Sequence, residues 1–365
     1  MLGGAMQDAY LLSLATSDPY ALGEAVLALA HQAFFQRYVE ESSGLDSAIL
    51  DGEYNCVSSS AVYLLLAKAA GLNASGVVTR DHSFVSLDLG GGTSVDVETT
   101  NPHGFDPGSK KEFLDSFGRV TGYAYVPPSD TQSRRPVDAR HIVGLIAWNE
   151  ATLAEREADY LKALSLAADA YAWMGDDEAR RYLGERAHNA AAFFLNSGRM
   201  DQGIQFITRV MERYGELADL PWLLDQARVA RLAKLLADLP PADALAELEA
   251  ARDGGYLPPD DADAMLGYVY GRLAEEAKRA EGWLGAWRTV ERGALDWPGS
   301  PSLASLLKTV KSNWVAERHN AFAALFNARR YQEALAAITE ALAILPDERV
   351  FLNDQATVQK VLGDH

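Results

Sequence analysis

The one cysteine of this chain, Cys56, stands where a long apolar run begins, in Tyr54-Asn55-Cys56-Val57-Ser58-Ser59-Ser60-Ala61-Val62-Tyr63-Leu64-Leu65-Leu66. A thiol at a helix N-terminus meets unpaired backbone N–H groups and the positive end of the helix dipole, and both favour thiolate. A thiolate becomes a useful nucleophile when a base can take its proton and a third group holds that base in one tautomer. His82 opens an alternating segment further on, and the return strand brings two acids, Asp96 and Glu98. Together these residue types suit nucleophilic catalysis by a thiol. Taken alone, a lone cysteine is more often an inert, small core residue than a nucleophile.

The elements must place these groups. Between Tyr54 and Thr79 the only charged residue is Lys68, so the Cys56 segment is expected as a helix buried nearly all round, stopped by Gly71 and Asn73. Ahead of it, a helix is expected over Ala5 to Leu14. A second should start at Ser17-Asp18-Pro19, cap then proline, and run to about Glu41, where Ser42-Ser43-Gly44 ends it. After Asn73 the period becomes two, which predicts strands at Ser75–Thr79, His82–Leu89 and Thr93–Thr99, the last two joined by Gly90-Gly91-Gly92. A loop through Asn101-Pro102, Gly104 and Pro107-Gly108 follows. Then come a short helix near Lys110 to Phe117, a fourth strand at Val120–Val126, and a linker, Pro127–Asp138, whose Arg134-Arg135 reads as solvated.

Alternation puts His82, Phe84, Ser86 and Asp88 on one face, and Ser94, Asp96 and Glu98 on the matching face of the return strand. If the turn is centred on Gly90, His82 lies across from Glu98 and Asp96 across from Phe84. A diagonal neighbour sits about 7–8 Å away, beyond a short aspartate. Glu98 is therefore the expected third member and Asp96 the alternative. His103, on the loop after the acid, reads as surface or cleft rim. A zinc site from Cys56, His82, Asp96 and His103 follows no familiar ligand spacing, and no cofactor is expected.

A cysteine at a helix start, Gly71 beyond it, a histidine opening a strand and a carboxylate before threonine together resemble the transglutaminase-like superfamily of papain-like cysteine acyl-transfer enzymes. The matching segments are Tyr54-Asn55-Cys56, His82-Ser83-Phe84-Val85 and Glu98-Thr99-Thr100, within about Asp51 to Gly108. Two positions depart from the family pattern: Tyr54 stands where glycine is usual, and Glu98 where aspartate is common. The resemblance implies attack of Cys56 Sγ on an amide carbonyl, with His82 as base and then acid. It also implies an oxyanion held by the Cys56 N–H and a side-chain donor, Asn55 or Tyr54. Asn55 reads equally as the helix N-cap.

From His141 onward the strand signal disappears and a repeat emerges. Tyr331, Ala334, Ile338, Ala341 and Pro346 recur in spacing as Trp283, Ala286, Val290, Gly293 and Pro298, as Met200, Gly203, Ile207, Val210 and Gly215, and more weakly as Pro241, Ala244, Leu248, Ala251 and Tyr256. This resembles the tetratricopeptide repeat, best over Glu317 to Pro346. All seven tryptophans fall in this half, and most read as core. The fold expected is thus an α+β transglutaminase-like domain, a helix packed on an antiparallel sheet, over residues 1–140. An all-α, tetratricopeptide-like repeat domain follows over 141–365.

The chain has 365 residues and a formal net charge of −18, which disfavours a nucleic-acid surface. No signal peptide or membrane span is legible, so a soluble and by default cytoplasmic protein is expected. Two functions follow. One is a cysteine-dependent peptidase, amidase, deamidase or transglutaminase acting on protein or peptide amides, with a partner protein held on the repeat surface. The other is a non-catalytic adaptor that carries an inactive domain, as fold alone does not settle function; such domain pairings occur in bacterial proteins.

Overall fold

The computed structural model describes residues 1–108 and 110–363. Asp18 caps the second helix as its sequence predicts, accepting from the N–H groups of Tyr20 and Ala21. Helices α1 (Leu2–Ala15) and α2 (Pro19–Ala33) lead to a two-stranded parallel pair, β1 (Arg37–Tyr38) and β2 (Glu53–Tyr54), with a π-helical turn at Ser47–Asp51 between them. The second helix therefore ends well short of Glu41. Arg37 and Tyr38 leave it to pair with Glu53 and Tyr54, a long-range contact that local propensity does not carry. That pair delivers the chain directly into α3 (Cys56–Ala69). Ten of the fourteen residues of α3 are buried, and its apolar side chains sit in one core with α1, α2 and the sheet.

The sheet has the order β5-β4-β3-β6, all antiparallel, from β3 (Asn73–Val78), β4 (Ser83–Gly90), β5 (Thr93–Val97) and β6 (Arg135–Val137). Its fourth strand is not Val120–Val126. Helix α4 (Lys111–Thr121) continues through Val120 and stops at Gly122 in the left-handed region, φ 78°. The alternating Tyr123 and Tyr125 then lie over His82 and Phe84 instead of pairing in the sheet. The fourth strand comes from within the expected linker. Its neighbour Arg134 is not solvated: it pairs with Asp96 through two bonds of 2.6 and 2.8 Å and covers the Phe84 ring. Arg135 bonds Asp176 and Glu178.

Among the described residues only helices follow. They are α5 (Ala139–Arg156), α6 (Tyr160–Met174), α7 (Asp177–Asn196), α8 (Met200–Tyr214), α9 (Leu220–Asp238), α10 (Pro241–Asp253), α11 (Pro259–Asp296, broken at Gly282), α12 (Pro301–Asn327), α13 (Tyr331–Ile344) and α14 (Arg349–Gly363). The chain divides into two compact units, Met1–Pro221 and Trp222–His365. The composition change near residue 140 thus marks where strands stop, while the first unit runs on. Ile142 of α5 is fully buried in the core that contains α3, and that packing joins the first helices to the α+β layer.

The recurring small and apolar positions are the buried ones: Gly203, Ile207 and Val210; Ala244, Leu248 and Ala251; Ala286, Val290 and Gly293; Ala334, Ile338 and Ala341. A further copy is Ala163, Ala167 and Ala170, after Tyr160. Three of the copies begin at equivalent turns, where Ala158, Gly198 and Arg329 take positive φ of 60°, 73° and 59°. The tryptophans divide differently from the expectation. Trp287 and Trp314 are buried, whereas Trp173 and Trp222 are exposed.

Candidate active site

Asn55 sets the position of Cys56. Its Oδ1 accepts from the N–H groups of Val57 and Ser58, the Ser58 hydroxyl accepts from the Asn55 N–H, and this reciprocal cap fixes the first turn of α3. Asn55 Nδ2 donates to Glu40 O at 2.8 Å and Ser43 Oγ at 2.7 Å. Both amide protons are therefore committed, and Asn55 is not the oxyanion donor that the resemblance offered. Neither is Tyr54, whose hydroxyl donates to Thr100 O at 3.3 Å in a buried position. The Cys56 N–H itself has no acceptor among the described residues. Asn55→Ala is expected to destabilise the fold by about 2 kcal/mol, through the lost cap and the unpaired groups left behind. Urea unfolding of the variant measures this directly.

The two following serines explain the polar cluster at the head of an otherwise apolar helix. Ser59 and Ser60 meet Thr99 Oγ1 at 2.8 and 3.2 Å, and all three are fully buried. His31 Nε2 meets Thr99 O at 3.1 Å; burial lowers its pKa to about 4, so at neutral pH it is the uncharged imidazole that makes this contact. Through Thr99 and Thr100, the chain that carries Glu98 is docked on the chain that carries Cys56.

His82 lies at the turn between β3 and β4, its carbonyl held by the Thr79 N–H at 2.8 Å. Its Nε2 is 2.8 Å from Glu98 Oε2, and both side chains are buried. The register differs from a Gly90-centred hairpin: Val85 pairs with Val97 and Ser86 with Asp96, with an irregularity between Asp88 and Gly90. Glu98 is thus diagonal to His82, and its extra methylene spans the offset. Asp96 turns to Arg134 and to the Tyr125 hydroxyl at 2.5 Å, so the alternative third member belongs to a separate ion pair. Thr100 donates to Glu98 Oε1 from its hydroxyl at 2.7 Å and its N–H at 3.3 Å. A buried carboxylate needs such partners.

The other ring nitrogen, His82 Nδ1, is buried with no hydrogen-bond partner among the described residues, and the ring lies close enough to the Cys56 thiol for each to shift the other. Burial by itself would push the thiol up. The hydrogen bond and charge of His82, then the N–H and hydroxyl of Ser83, bring it down overall. For His82, burial works downward, and it is overcome by the Glu98 charge and the Cys56 contact, which push the imidazole up to about 10. Each group thus favours the charged form of the other, thiolate beside imidazolium. Phe84, Phe117 and Tyr123 surround the ring.

Cys56 is partly exposed and opens into a cleft of about 530 Å³. Tyr38, Glu40, His82 and Tyr123 line it, together with Leu145, Trp148 and Arg156 of α5. Burial, then the charge of the sulfur, raises the Tyr38 phenol. Trp148 is stacked on Tyr182 at 3.7 Å, and Arg186 covers the opposite side of that tyrosine. Asn149 donates to the same Ser43 Oγ that Asn55 does, at 2.8 Å. Tyr38, Ser83, Tyr123 and Trp148 carried no signal of a role in the sequence, because each reaches the cleft through long-range packing. Among the described residues no group of three or more His, Cys, Asp or Glu side chains could hold a metal ion. Nor is any helix among them long and apolar enough to cross a membrane.

No protein-family model matches the chain, and no curated protein matches it. The transglutaminase-like and tetratricopeptide-like resemblances therefore rest on the sequence motifs described above.

Proposed function

We propose that this protein is a cysteine-dependent acyl-transfer enzyme acting on protein or peptide amides. The observation that carries the reading is the buried line from Cys56 to His82 to Glu98, opening on a cleft. The Cys56 thiolate attacks the carbonyl carbon, the S–C bond forms, and the carbonyl electrons move to oxygen. The Cys56 N–H, unpaired and first in its helix, is a donor for that oxyanion. Imidazolium Nδ1–H then protonates the departing amine as the C–N bond breaks and the thioester forms. An incoming water or amine next loses a proton to Nδ1, attacks the thioester carbonyl, and expels the thiolate. Glu98, bonded to Nε2, keeps the ring in one orientation.

On this reading the first helices of the repeat half shape the substrate cleft as well as presenting a surface to a partner, since α5 contributes Leu145, Trp148 and Arg156 to its lining. The test uses p-nitrophenyl acetate. Acetylation of Cys56, followed by intact mass and peptide mapping, is expected to be much faster in the wild type than in His82→Ala, and absent in Cys56→Ala. Wild-type acetylation no faster than that of a free-cysteine peptide would overturn the enzyme reading in favour of the non-catalytic adaptor.

A further inference from the structure

Ser83 is 2% exposed, and its Oγ has no hydrogen-bond partner. A buried hydroxyl left unpaired is costly, so the group that satisfies it matters. Alternation along β4 places Ser83 with Val85 and Leu87, on the face that packs in the α3 core. Ser83 also lines the cleft into which Cys56 opens. We propose that the Ser83 hydroxyl is a donor to the Cys56 sulfur, complete when that sulfur is ionised, and that it holds the resting thiolate together with His82. This rests on the acyl-transfer reading above and adds a residue to it. No proton is transferred: the hydroxyl keeps its hydrogen and turns it toward the charge.

Both the N–H and the hydroxyl of Ser83 act on the Cys56 thiol in the downward direction, after burial and His82. The other ionisable groups around the sulfur are accounted for. His82 is its ion partner, with Glu98 behind it. Tyr38, from β1, and Tyr123, after α4, are phenols raised by burial and by the sulfur's charge, and they stay protonated through neutral pH. Glu40, Glu41, Arg80, Asp81, Arg135, Arg156 and Glu178 line the same cleft, as does the buried His141 of α5, which is held by Arg135 and Asp176, and none of them supplies a free buried neutral donor. Ser83 does.

The experiment is the rate of Cys56 alkylation by iodoacetamide from pH 4 to about 9.5, on the full chain, with folding of each variant checked by circular dichroism. Wild type is expected to react at mildly acidic pH. Ser83→Ala and Ser83→Gly are expected to move the inflection up by about one pH unit and to slow the reaction about 10-fold on its rising limb. Ser83→Thr, which keeps a hydroxyl, should retain the wild-type profile. An unmoved inflection in the Ala and Gly variants, with wild type still faster than His82→Ala, overturns the role of Ser83 and leaves the acyl-transfer reading intact. Equal profiles for wild type and His82→Ala overturn both.

Discussion

Glu98→Gln is expected to slow thioester formation at Cys56 by about 100-fold or more without unfolding the protein. Thr100 donates to Glu98 Oε1 from both its hydroxyl and its N–H, so that position must remain an acceptor. The nitrogen of the new amide then falls where Oε2 meets His82 Nε2. An amide N–H donates, and it forces the imidazole to carry its hydrogen on Nδ1, the atom that must accept the proton of the attacking group. Removing the carboxylate charge also removes the main upward influence on His82, and leaves the downward influence of burial opposed by the Cys56 contact. In the wild type the folded-state pKa of His82 is raised above its ordinary 6.5. Its contribution to stability is therefore full below about 6.5 and lost as the pH rises through about 10. The variant should show a smaller alkaline loss. Glu98→Asp keeps the charge but loses the methylene that spans the diagonal, and it should also be slow. Acetylation rates and unfolding curves against pH check both statements, and a wild-type rate in Glu98→Gln would remove Glu98 from the mechanism.

Much of this site is legible in the sequence because its parts are local. An apolar segment headed by Asn55-Cys56 specifies a capped, buried helix, and three glycines, all with positive φ, specify the hairpin that returns the acid beside the histidine. What could not be read is what distance brings together. The shift that makes Glu98 a diagonal neighbour arises at the irregularity near Gly90, and period-two alternation is blind to a slip of two residues. Tyr123 and Tyr125 alternate like a strand but end as a cover over His82 and Phe84, because α4 stops on Gly122. Arg134, in a stretch that reads as linker, is committed to Asp96. The repeat was legible in spacing, and its extension to Tyr160 was hidden because three alanines carry little identity. The wall that α5 gives the cleft follows from Ile142 being buried in the first core, which composition does not reveal.

The docking of the acid on the nucleophile's helix also makes one glycine critical. A β-carbon on Gly104 would stand 2.0 Å from the carbonyl oxygen of Glu98 and 2.9 Å from that of Asn101. These are backbone atoms that no rotamer change can move. The same loop is closed by Glu98 N–H to Gly104 O at 2.7 Å, Asn101 N–H to Glu98 O at 3.2 Å and Gly104 N–H to Asn101 O at 2.9 Å. Admitting the methyl group breaks this closure and carries Glu98, Thr99 and Thr100 away from His82, Ser59 and Ser60. Gly104→Ala is therefore expected to destabilise the fold by about 3 kcal/mol. In whatever fraction folds, acetylation of Cys56 should fall to the level of Glu98→Gln, although no side chain of the reacting line is changed. Gly91→Ala is the control: its β-carbon meets open space and its φ is 65°, so it should cost about 1–2 kcal/mol of turn strain and leave the rate unchanged. Thermal unfolding and acetylation rates of the two variants separate a loss of hairpin stability from a displaced carboxylate. Equal activity in both would mean that the Glu98 loop does not govern the site.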